Sequence, residues 1–149
     1  MRKISIIALA GVLAAMPTAA LADHHEDAPK IRENAEYMEI VLVDIKAGKR
    51  DRAEEIIRDY FMKASKAAGT TAPYLVHMQT GEWDFIVAFD LKDGPVEYTY
   101  TDTPDRKKWW AALVDIAGGQ DKAQAIWDEY QSLIVRSNSM LGHHHVDAE

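Results

Sequence analysis

Cysteine is missing from all 149 residues. Its absence excludes disulfides, thiolate metal centres, cysteine nucleophiles and a lipidated-cysteine anchor, so stability must come from packing. Other chemistry is missing as well. There is no glycine-rich phosphate loop, no Gly-x-Ser-x-Gly elbow and no pair of histidines four apart on a helix. Positive charge is scarce, with 17 Lys and Arg against 24 Asp and Glu. A surface of that sign repels nucleic acid and anionic membrane, and neither is expected as a partner. Histidine is nearly absent from the body of the chain: His77 stands alone there, and the other five lie near the ends as His24, His25, His143, His144 and His145.

A long hydrophobic run is also lacking. The one apolar stretch, residues 4–16, is about 13 residues long, short of the ~20 that a spanning helix needs. Arg2 and Lys3 precede it, and Pro17 and small residues ending in Ala20-Leu21-Ala22 follow. This is the charged, apolar, small-residue order of a secretory signal peptide, residues 1–22, with cleavage expected after Ala22. The mature chain is then expected to be periplasmic or secreted, with no membrane anchor. It keeps 127 residues, the size of one domain with a real core. The leader takes two of the 17 basic residues and none of the 24 acidic ones, leaving 15 against 24, a net charge of −9. Cleavage makes Asp23 the N-terminus and His25 the third residue from a free amine, a geometry that binds Cu(II) or Ni(II).

Residues 23–36 are polar and read as a flexible N-terminal segment. Order is expected over 37–141. The β-branched and aliphatic run 38–46 predicts a strand covered on both faces. Ala53, Ile56, Ile57, Tyr60, Phe61, Ala64 and Ala68 recur at helical spacing and predict an amphipathic helix over 49–67, capped by Gly69. Arg50, Glu54, Glu55, Arg58 and Lys63 lie off its apolar stripe. Strands at 74–79 and 83–91 flank Thr80-Gly81, a hairpin signal. A two-residue loop would set Met78 opposite Trp83, His77 opposite Asp84 and Leu75 opposite Ile86. One face then carries Tyr74, Val76, Met78, Trp83, Phe85, Val87 and Phe89 as core. The other carries Leu75, His77, Gln79, Glu82, Asp84, Ile86 and Ala88. The stretch from Asp93-Gly94-Pro95 to Thr103 reads as a loop. Thr103-Pro104 opens a second helix, which Gly118-Gly119 interrupts before a further helical piece containing Ile126, Trp127 and Tyr130. A last strand is expected at 133–141, and then a His-rich acidic tail, 142–149.

The order strand, helix, strand, strand, helix, strand predicts an α+β fold: a ferredoxin-like βαββαβ sandwich with a four-stranded antiparallel sheet in the order 4-1-3-2. Two helices cover one face of such a sheet. The other face is apolar enough that a second copy is the economical cover, so a homodimer is expected. On this pattern, over about 37–141, the chain resembles the dimeric α+β barrel superfamily, which includes antibiotic-biosynthesis-monooxygenase-like and NIPSNAP-like domains. The resemblance implies a barrel closed between two copies and a small, often aromatic substrate bound between sheet and helices, in some members oxygenated without metal or flavin. Members that degrade haem use an Asn, a Trp and a helix-borne His. Trp83 could stand for the Trp, but neither main helix contains His, so haem degradation is not implied.

The expected register makes His77 and Asp84 the candidate catalytic pair, because a carboxylate fixes the imidazole tautomer and favours general-base work. The same two residues also read as a half-solvated cross-strand contact worth about 0.2–1 kcal/mol. Gln79, Glu82, Asp44, Arg136, Asn138, Trp83 and Trp109 are the candidate ligand contacts around them. Tyr60, Phe61, Trp109, Trp110 and Trp127 read either as cavity lining or as core. The predicted function is binding of a small, partly apolar molecule, extending to a cofactor-independent monooxygenase-like or isomerase-like activity that requires no cofactor. One alternative is a periplasmic metal protein holding Cu, Ni or Zn on His24, His25, His143, His144 and His145. Another is a non-catalytic interaction module.

Overall fold

In a computed structural model, residues 30–146 are described, and the compact unit starting at Arg32 carries the fold. It is α+β. Strand β1 (Ala35–Ile45) leads into α1 (Arg50–Ile56), a π-helical turn (Ile57–Phe61) and α2 (Met62–Ala68). Then come β2 (Tyr74–His77), β3 (Phe85–Leu91), a 3₁₀ helix (Gly94–Thr99), α3 (Pro104–Ala117), α4 (Gln120–Leu133) and β4 (Ile134–His145). The antiparallel sheet has the order β2-β3-β1-β4, the ferredoxin-like arrangement that the element order predicts. No described helix is long and apolar enough to cross a membrane.

The local signals act through identifiable atoms. Gly69 ends α2 in the left-handed region at φ 65°, a backbone that glycine adopts without a Cβ clash. Thr103 Oγ1 accepts the Arg106 amide at 3.2 Å and caps α3. The π turn is the unforeseen element. Ile56 and Ile57 are both buried and Tyr60 and Phe61 both half-buried, so the helix has two adjacent inward residues twice in succession. A turn wider than an α turn lets all four reach the core.

The core lies between the helices and one face of the sheet. Val43, Ile45 and Phe85 pack from the strands against Ile56, Ile57, Tyr130 and Leu133, with Leu75 and Val87 alongside. A second cluster, Ala64, Leu113 and Ala123 with Trp109 and Trp110, joins the helices to one another. Alternate strand residues Ile40, Leu42, Ile86 and Ala88 belong to neither cluster and form the opposite face of the sheet, half-exposed in this unit.

Three expectations need correction. First, β2 pairs with β3 as Tyr74 with Ala88, Leu75 with Val87, Val76 with Ile86 and His77 with Phe85, one residue away from the expected register. The connection spans residues 78–84, longer than a two-residue hairpin loop. A one-residue slip turns every β2 side chain over. Leu75 and His77 therefore join the helix-covered side with Phe85, while Val76 joins the open face with Ile86 and Ala88. Second, β4 runs through His145, so residues 142–145 are strand rather than tail. They pair with Met38, Tyr37, Glu36 and Ala35 in turn, and β1 accordingly begins two residues before 37. Third, the stretch expected as a loop after Asp93 contains a 3₁₀ helix.

Candidate functional site

His77 does not meet Asp84 directly, because of the register. Its Nδ1 lies 3.0 Å from Glu54 Oε1 on α1. An ionised carboxylate only accepts, so Nδ1 carries the proton of this contact, and in the neutral imidazole Nε2 is the nitrogen with the lone pair. The imidazole ring stands edge-on to Phe85, with centroids 5.3 Å apart. Glu54 is positioned in turn by Arg50, one helical turn earlier, whose Nε donates to the same oxygen at 3.1 Å. Arg50 Nη1 donates to the Met78 carbonyl at 2.7 Å and lies 3.5 Å from Asp84 Oδ1. The hydrogen bond from His77, followed by that from Arg50, holds the Glu54 carboxyl below the usual carboxylate range, against the opposing pull of partial burial.

The two residues nominated as a catalytic pair are thus joined through two others that the sequence placed on a solvated helix face. Asp84 has a different task. Its Oδ2 accepts the Ile45 amide at 2.8 Å, where the β1–β4 pairing shifts register between Asp44 and Ile45. That amide has left the regular ladder, and Asp84 supplies its acceptor.

Glu54 and His77 line a cleft of about 450 Å³ between the α1–α2 helical run and β2. Ile57, Met62, Tyr74 and Leu75 form its apolar walls, and Arg58 adds a cation. The π turn begins inside this lining, where such turns often mark functional sites. A second groove of about 400 Å³ between α2 and α3 is lined largely by alanines, with Lys108 and Asp115, and holds no histidine.

Four other nominated residues meet elsewhere. Arg136 Nε is 3.1 Å from Asp44 Oδ2, its Nη2 is 3.4 Å from Glu82 Oε2, and its guanidinium carbon lies 4.5 Å from the Trp83 ring centre. Arg136 is 49% and Glu82 77% exposed, so this is a solvated cluster of modest energy. Gln79 is exposed in the β2–β3 loop. Asn138 is exposed on the open face opposite Leu42. Trp109 belongs to the interior: its Nε1 donates to Ser65 Oγ at 3.1 Å, and its ring packs with Phe61, Trp110 and Trp127. Phe61, Trp109 and Trp110, with Tyr60 beside them, are partly buried and pack against the core clusters, and the half-buried Trp127 joins them through ring contacts.

Of the candidate metal ligands, His24 and His25 lie outside the described residues. His143, His144 and His145 are consecutive on β4, and strand alternation divides them. His143 and His145 share a side, their ring centroids 5.2 Å apart, while His144 Nε2 pairs with Glu36 Oε2 at 3.3 Å. Among the described residues no group of three or more His, Asp or Glu could hold a metal ion.

Sequence reasoning missed Glu54, Arg50, Ile57 and Met62. The available signal was the Arg50/Glu54 spacing of four on the first helix, which reads as an ordinary surface ion pair until the register of β2 turns His77 towards it.

No protein-family model matches the chain, and no curated protein matches its sequence. Solved structures do. One is a NIPSNAP family protein from Agrobacterium tumefaciens, 16% identical, covering 71% of this chain and 90% of its own, at a TM-score of 0.46. Another, described as a NIPSNAP family protein of unknown function from the same organism, is 15% identical and covers 76% and 92%, at 0.47. A protein from Nitrosomonas europaea with an antibiotic-biosynthesis-monooxygenase description is 10% identical and covers 71% and 95%, at 0.38. These are the two groups that the order of elements resembles. The likenesses concern fold and bring no residue roles to this chain.

Proposed function

We propose that this chain is an exported small-molecule-binding protein whose site is the cleft between the α1–α2 helical run and β2. The observation that carries the reading is the Glu54–His77 contact in the lining of an otherwise largely apolar cleft. A volume of about 450 Å³ falls in the range of small-molecule sites, about 300–1,000 Å³. Ile57, Met62, Tyr74 and Leu75 would take an apolar body, and His77 the polar end. The chemistry available there is proton transfer. His77 Nε2 accepts a proton or hydrogen bond from a weakly acidic group, and Glu54, fixed by Arg50, stabilises the imidazolium that forms. His77 is the candidate catalytic group, while Glu54 and Arg50 are positioning residues. Asp84 reaches the site only through Arg50.

The test is an amide-shift titration of the whole chain with phenol, cyclohexanol and benzoate as probes. Shifts should concentrate at residues 54–62 and 73–77 for at least one probe, and His77→Ala should weaken its binding about tenfold at a stability cost no larger than that of an exposed pair, under about 1 kcal/mol. Shifts elsewhere only, or full affinity in His77→Ala, would end the reading. A second copy covering the face with Ile40, Leu42, Ile86 and Ala88 belongs to the same proposal, and a monomer in sedimentation at micromolar concentration would contradict it.

A further inference from the structure

The histidines of β4 fall outside the proposed cleft, and the strand makes them inequivalent. We propose that His143 and His145 form a two-imidazole site for a divalent copper ion at the open end of β4, with His144 excluded from it. In a disordered run three adjacent histidines would compete equally for an ion. On a strand the first and third point to one side and the second to the other. The described residues show that division: the rings of His143 and His145 lie 5.2 Å apart at 82°, while His144 sits beside Glu36.

The spacing suits chelation. Metal–nitrogen bonds of about 2.0–2.1 Å place two imidazoles sharing one ion in cis positions with ring centres about 4.5 Å apart, so the two rings have to close by somewhat under an ångström from their 5.2 Å. On the neighbouring strand the small Ala35 stands opposite His145, while Tyr37, opposite His143, packs against that ring with centroids 5.5 Å apart. β4 is an edge strand, so the remaining coordination positions open to water. Two nitrogen donors completed by water suit tetragonal Cu(II), the strongest of the divalent first-row ions for imidazole; a structural zinc centre would need four protein ligands. One group opposes the ion. Arg32 Nη1 lies 3.4 Å from His143 Nε2, and a guanidinium can only donate, so the contact uses the lone pair that the metal would take.

The experiment adds Cu(II) to the mature chain with His24 and His25 replaced by glutamine, so that an N-terminal copper site cannot supply the signal, and follows paramagnetic broadening at Tyr37, His143 and His145. Broadening should centre on these residues. His144→Gln should leave the apparent affinity within about twofold, whereas His143→Gln and His145→Gln should each weaken it about tenfold. Equal weakening by all three substitutions would return the site to a disordered histidine run and overturn the proposal. So would copper that leaves these signals sharp, or broadening that survives the double substitution His143→Gln/His145→Gln.

Discussion

Among the described residues there are two histidine–carboxylate contacts of nearly equal length, His77 with Glu54 at 3.0 Å and His144 with Glu36 at 3.3 Å. They differ more in what supports them than in exposure, His77 being 42% and Glu54 34% exposed against 51% for His144 and 66% for Glu36. The first joins a helix to an edge strand, rests on the fully buried Phe85 and is held by Arg50, which reaches on to Met78 and Asp84. The second bridges two neighbouring strands, with both partners more than half exposed. The same pair of functional groups is therefore an ordered dyad in one place and a screened surface contact in the other. A carboxylate beside an imidazole identifies a site only when something rigid fixes both and an apolar wall lies next to them.

The comparison can be broken most severely at its foundation. Phe85→Ala removes the ring under His77 and Arg50, and should cost about 3–5 kcal/mol in denaturant unfolding. A smaller loss would show that the dyad does not depend on this packing. Asp84→Ala comes next. It leaves the Ile45 amide, in a residue 5% exposed, without its acceptor, for an expected loss of about 1–3 kcal/mol. Asp84→Asn should recover most of that loss, because the side-chain oxygen still accepts.

The smallest effects sharpen the contrast. Glu54 has a depressed pKa in the folded chain, so it binds its proton less readily there than when unfolded. Its stabilisation is full above the ordinary carboxylate range and is lost as pH falls through the lower folded value. Glu54→Gln should flatten that acid part of the stability–pH curve. At neutral pH, Glu36→Gln should change unfolding free energy by less than about 1 kcal/mol, and a larger change would show that the second contact is not merely a surface pair.

Much of the architecture is legible in the sequence. The order of elements, the Thr103-Pro104 start, the Gly69 stop and the Gly118-Gly119 break each rest on a local backbone requirement written in one or two residues, and the strand order follows from them. The orientation of β2 is not legible in the same way. The expected two-residue loop put Tyr74 and Val76 on the core face with Phe85; the strand is four residues long, and only the length of the following loop decides whether that pair or Leu75 and His77 faces the helices. The site depended on that one choice, so Glu54 stayed hidden on a face that reads as solvent. The last turns of β4 escaped for another reason. Gly142 and three histidines have little strand propensity, and their order comes from pairing with Ala35 to Met38 rather than from themselves.

That pairing has a topological consequence. The Val146 amide donates to the Asn34 carbonyl at 2.9 Å, Asn34 itself being in the left-handed region at φ 55°, so the entrance and exit of the folded unit are separated by one hydrogen bond. A linker of a few glycines could join residues 34 and 146 into a continuous ring, and the ring could be reopened at Gly81, in the exposed loop that set the register. In such a permutant β2 and β3 would become the terminal strands, and their alignment would be chosen by cross-strand packing alone, without the covalent constraint of the loop.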